Sequence, residues 1–141
     1  MDSEKQVVLD FIQQQPLMVV STVNTTGLPE AAVVGFCVTE NFEVIFDTSN
    51  LSRKYKNLAT NTNVAAVLGW DNGITVQYEG AAHEVVDAGE IETCWKLMIA
   101  KEPAAEKYKG EPDSRMFKIT PHWVRYSDLK VNPWKIIELK F

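Results

Sequence analysis

Ser52, Arg53 and Lys54 place a hydroxyl, a guanidinium and an ammonium on three consecutive residues, just after an apolar run from Phe42 to Phe46 gives way to a helical pattern. Leu51, Tyr55 and Leu58 recur at helical spacing, and Ser49, Asn50 and Ser52 are residue types that cap helix starts, so a helix is expected to begin at 50 to 52. Arg53 and Lys54 then fall in its first turn. Cations there oppose the positive end of the helix dipole by about 0.3 to 1 kcal/mol each. An anion in front of the helix reverses that sign. A phosphate would take the free backbone N–H groups, the Ser52 hydroxyl and the guanidinium fork together, with charge-assisted hydrogen bonds of about 1.5 to 3 kcal/mol apiece. The competing reading is an ordinary capped helix with a solvated basic face.

No other residues carry chemistry so plainly. His83 and His122 have no Cys, Asp or Glu at ligand spacing on the same face, so no metal site is expected. Cys37 and Cys94 are isolated, and read as buried thiols rather than a disulfide. No pairing of nucleophile and base stands out, and no catalytic acid or base is assigned. The net charge of −5, with its basic residues scattered, argues against nucleic-acid binding. No apolar stretch approaches the roughly 18 residues of a membrane span, and Met1-Asp2-Ser3-Glu4-Lys5 lacks the basic start and apolar run of a leader, so a cytoplasmic protein is expected.

The 141 residues suit one domain, 1–141. Val7, Val8, Phe11 and Ile12 predict an amphipathic helix that stops by Gln15, ahead of Pro16. Leu17 to Val23 and Ala31 to Val38, either side of Asn24-Thr25-Thr26-Gly27, predict a hairpin of largely buried strands. Phe42 to Phe46 is a third strand, and Val64 to Trp70 and Ile74 to Val86 flank a tight turn at Asp71-Asn72-Gly73, with Gly80 marking a bend or bulge. Residues 89 to 109 read as helix broken at Pro103, followed by strands at Met116 to Ile119, His122 to Tyr126 and Trp134 to Phe141. The sum is a mainly β fold: a mostly antiparallel β-barrel with flanking helices. A barrel of eight strands is filled by its own side chains, so a large ligand would sit on an outer face or between subunits.

The order of these segments resembles the pyridoxamine 5′-phosphate oxidase-like family of FMN-binding split barrels. The resemblance rests on Pro16 to Val23 after the opening helix, Gly27-Leu28-Pro29-Glu30-Ala31-Ala32-Val33-Val34, Phe46-Asp47-Thr48, Ser52-Arg53-Lys54 and Gln77-Tyr78-Glu79-Gly80. It implies FMN as cofactor, with the backbone of Ala32, Val33 and Val34 along the flavin ring. It further implies Asp47 and Thr48 at the ring or ribityl chain, Ser52, Arg53 and Lys54 on the phosphate, and Gln77 as a polar contact to the ring. A homodimer is implied, with flavin sites at the subunit interface. Two polar residues of the oxidase itself are replaced here by Ala32 and Cys37, and its C-terminal Arg, Leu, His run is absent from Val124-Arg125-Tyr126-Ser127-Asp128. The resemblance implies Tyr126 stacking near the flavin in the place of a Trp of the oxidase, with core packing as the alternative. True pyridoxamine phosphate oxidation is therefore not expected. The expectation is an FMN-dependent oxidoreductase; the alternatives are a non-catalytic flavin or haem carrier and a deazaflavin-dependent reductase.

Overall fold

A computed structural model describes residues 2–141. Helix α1 (Ser3–Gln13) starts where the Asp2 carboxylate accepts from the Glu4 amide at 2.7 Å, and it buries Val8, Leu9 and Ile12. Strands β1 (Leu17–Val23) and β2 (Pro29–Gly35) pair antiparallel. In the turn between them Asn24 Oδ1 accepts from the amides of Thr26 and Leu28, each at 3.0 Å.

The single strand expected over 31–38 breaks at Phe36, because the chain changes partner there. β2 belongs to β1, whereas β3 (Cys37–Val38) pairs with β4 (Val44–Ser49). Phe42, expected within a strand, instead closes the turn at φ 63°. The Tyr78 hydroxyl, donating to its carbonyl oxygen at 2.6 Å, stabilises that uncommon backbone. β4 thus starts at Val44 and extends through Asp47 and Thr48 to Ser49, delivering the chain directly to the helix start.

After α2 (Arg53–Thr60) come β5 (Asn63–Val67) and β6 (Ile74–Glu84), then α3 (Ala88–Lys101), a 3₁₀ turn (Pro103–Ala105) and α4 (Glu106–Lys109). β7 (Ser114–Asp128) and β8 (Lys135–Lys140) end the chain. The sheet runs β2-β1-β5-β6-β7-β4-β3, every pairing antiparallel, with β8 also on β7. β7 is the fork: residues 114–119 pair with β4 and residues 123–128 with β8. Pro121 lies between those two lengths, opposite Gly80 at the register shift, so its missing N–H interrupts nothing and the two strands expected here are one. A Cβ on Gly80 would collide with the Thr120 carbonyl oxygen, which is why glycine stands at that bend.

The main core includes Ile12, Met18, Phe46, Tyr78, Phe117 and Tyr126. A second core under α3 gathers Cys37, Ile45, Val85, Cys94, Trp95, Met98 and Met116. Both thiols are free and buried there, and burial pushes the Cys37 thiol up to about 11. The mainly β split barrel with flanking helices is the fold the sequence predicts.

Candidate functional site

Helix α2 begins one residue past the predicted window, with Ser52 as its N-cap. Ser52 Oγ accepts from the Tyr55 amide at 3.2 Å and lies 2.9 Å from Thr48 Oγ1. The two hydroxyls carry two hydrogens, of which their mutual contact uses one, so one O–H remains to donate elsewhere. Arg53 and Lys54 occupy the first two helical positions, whose amides have no partner within the helix. There is no acidic residue in that turn. Hydroxyl, amides, guanidinium and ammonium therefore converge at one helix start.

Their electrostatics favour an anion. Burial pulls the Lys54 ammonium below its ordinary range, partly offset by the charge of Asp47, and among the described residues Lys54 forms no ion pair. Asp47 is pushed up by burial, against its own backbone hydrogen bond and the pull of Lys54. Arg53 is held differently, its Nη1 3.2 Å from Glu30 Oε2. A small cleft of about 80 Å³ here is lined by Thr22, Glu30, Ala31, Ala32, Arg53 and Lys54.

From that cleft β2 leads along the site. Glu30, Ala32 and Val34 are half-buried, Val33 is 60% exposed on the opposite face, and β2 ends the sheet order, with one backbone edge unpaired among the described residues. Past Val34 and Gly35 lies a cleft of about 470 Å³ that also includes Asp47, Thr48, Ser49, Asp113 and Ser114. A larger one of about 630 Å³ shares Gly35, Asp47 and Tyr108 with it and extends to Leu17, Phe36, Met98 and Lys101. Ser114 Oγ, in the wall of the first, is buried without a hydrogen-bond partner among the described residues. The arrangement offers an anion anchor, an apolar strand with a free edge, and hydroxyls and a carboxylate beyond it. That is a frame for a long ligand with a charged end.

Ala32, Arg53 and Lys54 line the small cleft, Val34, Asp47 and Thr48 the one of about 470 Å³, and the Thr48–Ser52 hydroxyl contact links the second to the helix start, while Val33 is on the outward side of β2. Gln77 and Tyr126 do not join them. Gln77 is exposed on the outward face that it shares with Val33, away from Ala32 and Val34, on a cleft of about 340 Å³ with Val19, Val67, Glu79 and Trp123. Tyr126 is 6% exposed and packs edge-on against Phe11 at 5.8 Å, a core aromatic rather than a stacking platform at this cleft. His83 and His122 are exposed. Sequence reading missed Glu30, Asn57 and Thr22, which form one hydrogen-bonded chain behind the clamp: Asn57 Nδ2 donates to Thr22 Oγ1 and to Glu30 Oε1, each at 2.9 Å. Its only trace in sequence is a carboxylate placed on an otherwise apolar strand.

Residues 5–128 match the family model described as pyridoxamine 5′-phosphate oxidase. The chain belongs to that family. Among curated proteins no sequence match was found. Solved structures of similar fold include the heme binding protein of Mycobacterium smegmatis, TM-score 0.83 at 15% identity over 99% of this chain and 59% of that one. General Stress Protein 26 of Bacillus anthracis str. Sterne gives 0.73 at 23% identity over 96% and 98%. Atu2129 of Agrobacterium tumefaciens str. C58, of unknown function, gives 0.78 at 18% over 86% and 55%, so this chain spans little more than half of some structures it matches. Within the pyridoxamine 5′-phosphate oxidase family this chain shows Ala32 on β2, while Cys37 is committed to the second core.

Proposed function

We propose that the chain is an FMN-binding oxidoreductase of the pyridoxamine 5′-phosphate oxidase family, acting on a substrate other than pyridoxamine phosphate. One observation carries this reading: a half-buried Lys54 ammonium without an ion pair among the described residues, beside a capped helix start that also presents Arg53 and the Thr48–Ser52 hydroxyl pair. Half-burying a cation that the charge of Asp47 offsets only in part is costly, and a phosphate lowers that cost. Ser52, Arg53 and Lys54 would hold the phosphate, β2 from Ala32 to Val34 would lie along the ring, and Asp47 and Thr48 would meet the ring or ribityl chain. The flavin, when bound, supplies one- and two-electron transfer. The chain's residues anchor, orient and shield it.

The position of Gln77 is the reason to include a second copy in this reading. It shares the outward face with Val33, at the far end of the cross-strand row Val33, Val19, Val67 and Gln77, and is turned away from Ala32, Val34 and the clamp, so in this reading it meets a flavin across a homodimer interface. That face offers Val19, Val67 and Trp123 for such a contact.

A haem-carrier reading draws on the M. smegmatis heme binding protein of similar fold. Parallel titration of the cofactor-free chain with FMN and haemin separates the two. The expected result is saturable quenching of flavin fluorescence at one FMN per subunit, with no saturable Soret shift. A saturable Soret shift without flavin quenching would favour the carrier.

A further inference from the structure

Arg53 lines the anion cleft already paired with a carboxylate. Its Nη1 donates to Glu30 Oε2 at 3.2 Å, and Glu30 lines the same cleft as Arg53 and Lys54. Glu30 is not a loose surface group. Asn57 Nδ2 donates to its Oε1 at 2.9 Å, and Asn24 Nδ2 lies 3.4 Å from its Oε2. Asn57 is 5% exposed and is itself fixed by the 1% exposed Thr22, whereas the Arg53 side chain is 73% exposed. The carboxylate is therefore the anchored member of the pair and the guanidinium the mobile one. Hydrogen bonds from Asn57 and then Asn24, with the charge of Arg53, outweigh desolvation and hold the Glu30 carboxyl below its usual range.

We propose, resting on the FMN reading above, that Glu30 is a specificity-determining residue: an internal carboxylate that competes with the ligand phosphate for Arg53 and so limits the preference for phosphorylated over phosphate-free flavin. Phosphate binding is then an exchange of anions at Arg53 rather than the filling of an idle cation. The cleft contains two positive groups and one fixed negative one, and the negative one acts against a phosphate dianion much more than against an uncharged ribityl end. The buried Asn57–Thr22 support prevents Glu30 from retreating when the phosphate arrives.

Glu30→Gln tests this, because it removes the charge while keeping an oxygen to accept from Asn57. FMN and riboflavin are titrated into wild type and variant by flavin fluorescence. The variant is expected to bind FMN roughly threefold to tenfold more tightly with riboflavin unchanged, the scale of one partly screened charge. An FMN-to-riboflavin ratio that is unchanged or lower in the variant, while the wild type prefers FMN, would overturn the role given to Glu30. A wild type that binds both flavins equally, or neither, would overturn the FMN reading itself. A second measurement needs no variant: NMR titration of the Glu30 side-chain carboxyl in the wild-type protein, free and FMN-loaded. Its pKa is expected to rise on loading, and an unchanged value would contradict the exchange.

Discussion

Thr48 Oγ1 and Ser52 Oγ lie 2.9 Å apart, joining the penultimate residue of β4 to the N-cap of α2. The contact fixes the angle at which the helix leaves the sheet, and with it the direction of the first-turn amides. Ser52→Ala removes the cap and the Thr48 partner together. Expected are a stability loss of about 1 to 2 kcal/mol, read by urea unfolding, and weaker FMN binding. The conservative Ser52→Thr should restore most of both.

The buried amide of Asn57 is a structural support with a function attached. Asn57→Ala leaves the Thr22 hydroxyl and one Glu30 carboxylate oxygen without their donor. A loss of about 1 to 3 kcal/mol follows from stranding buried polar groups, seen as a lower urea midpoint with unchanged slope.

Asp47 gives a pH-dependent signature. Burial raises its carboxyl, so its protonated form suits the fold better than its charged form. The stability associated with that preference is present below the ordinary Asp range and is lost as pH rises through the raised folded value. At neutral pH the fold thus bears a buried charge that Asp47→Asn removes. The variant is expected to unfold at higher urea than wild type at pH 7, with the advantage fading as pH falls through the carboxylate range. An advantage that is constant with pH would contradict this.

Tyr126 and Gly80 separate core from site. Tyr126→Phe retains the edge-on contact with Phe11 and should leave FMN affinity unchanged, whereas a stacking role at the cleft would also tolerate Phe but would lose affinity in Tyr126→Leu at equal folded fraction. Gly80→Ala places a methyl against the Thr120 carbonyl and 2.9 Å from Ile119 Cγ2, a clash expected to cost about 1 to 3 kcal/mol. Gly110→Ala, with nothing within 4 Å of the new carbon, is the neutral control.

What could be read from sequence here is what local chemistry decides. The start of α2 is legible because capping is settled by Ser52 and its nearest neighbours, and Leu17 to Val23 because a β-branched apolar run followed by Asn24-Thr25-Thr26-Gly27 has few other outcomes. The break at Phe36 is not legible: residues 31–38 are uniformly apolar, and the exchange of β1 for β4 as partner is a tertiary event. The joining of Met116 to Ile119 with His122 to Tyr126 into one strand is not legible either, because the tolerance of Pro121 depends on the register shift opposite Gly80. Tyr126 is an aromatic in sequence whether it faces the core or a cleft. The Glu30–Asn57 bond spans 27 positions without any periodic mark, so the support behind the clamp emerges only in three dimensions.

The phosphate clamp is the claim on which the rest stands. FMN titration of wild type and of the double variant Arg53→Ala with Lys54→Ala, with riboflavin in parallel, tests it directly. Loss of two charge-assisted contacts predicts FMN binding about a hundredfold weaker or more, with riboflavin affinity essentially unchanged. Equal FMN affinity in the wild type and the double variant would contradict a phosphate at the start of α2.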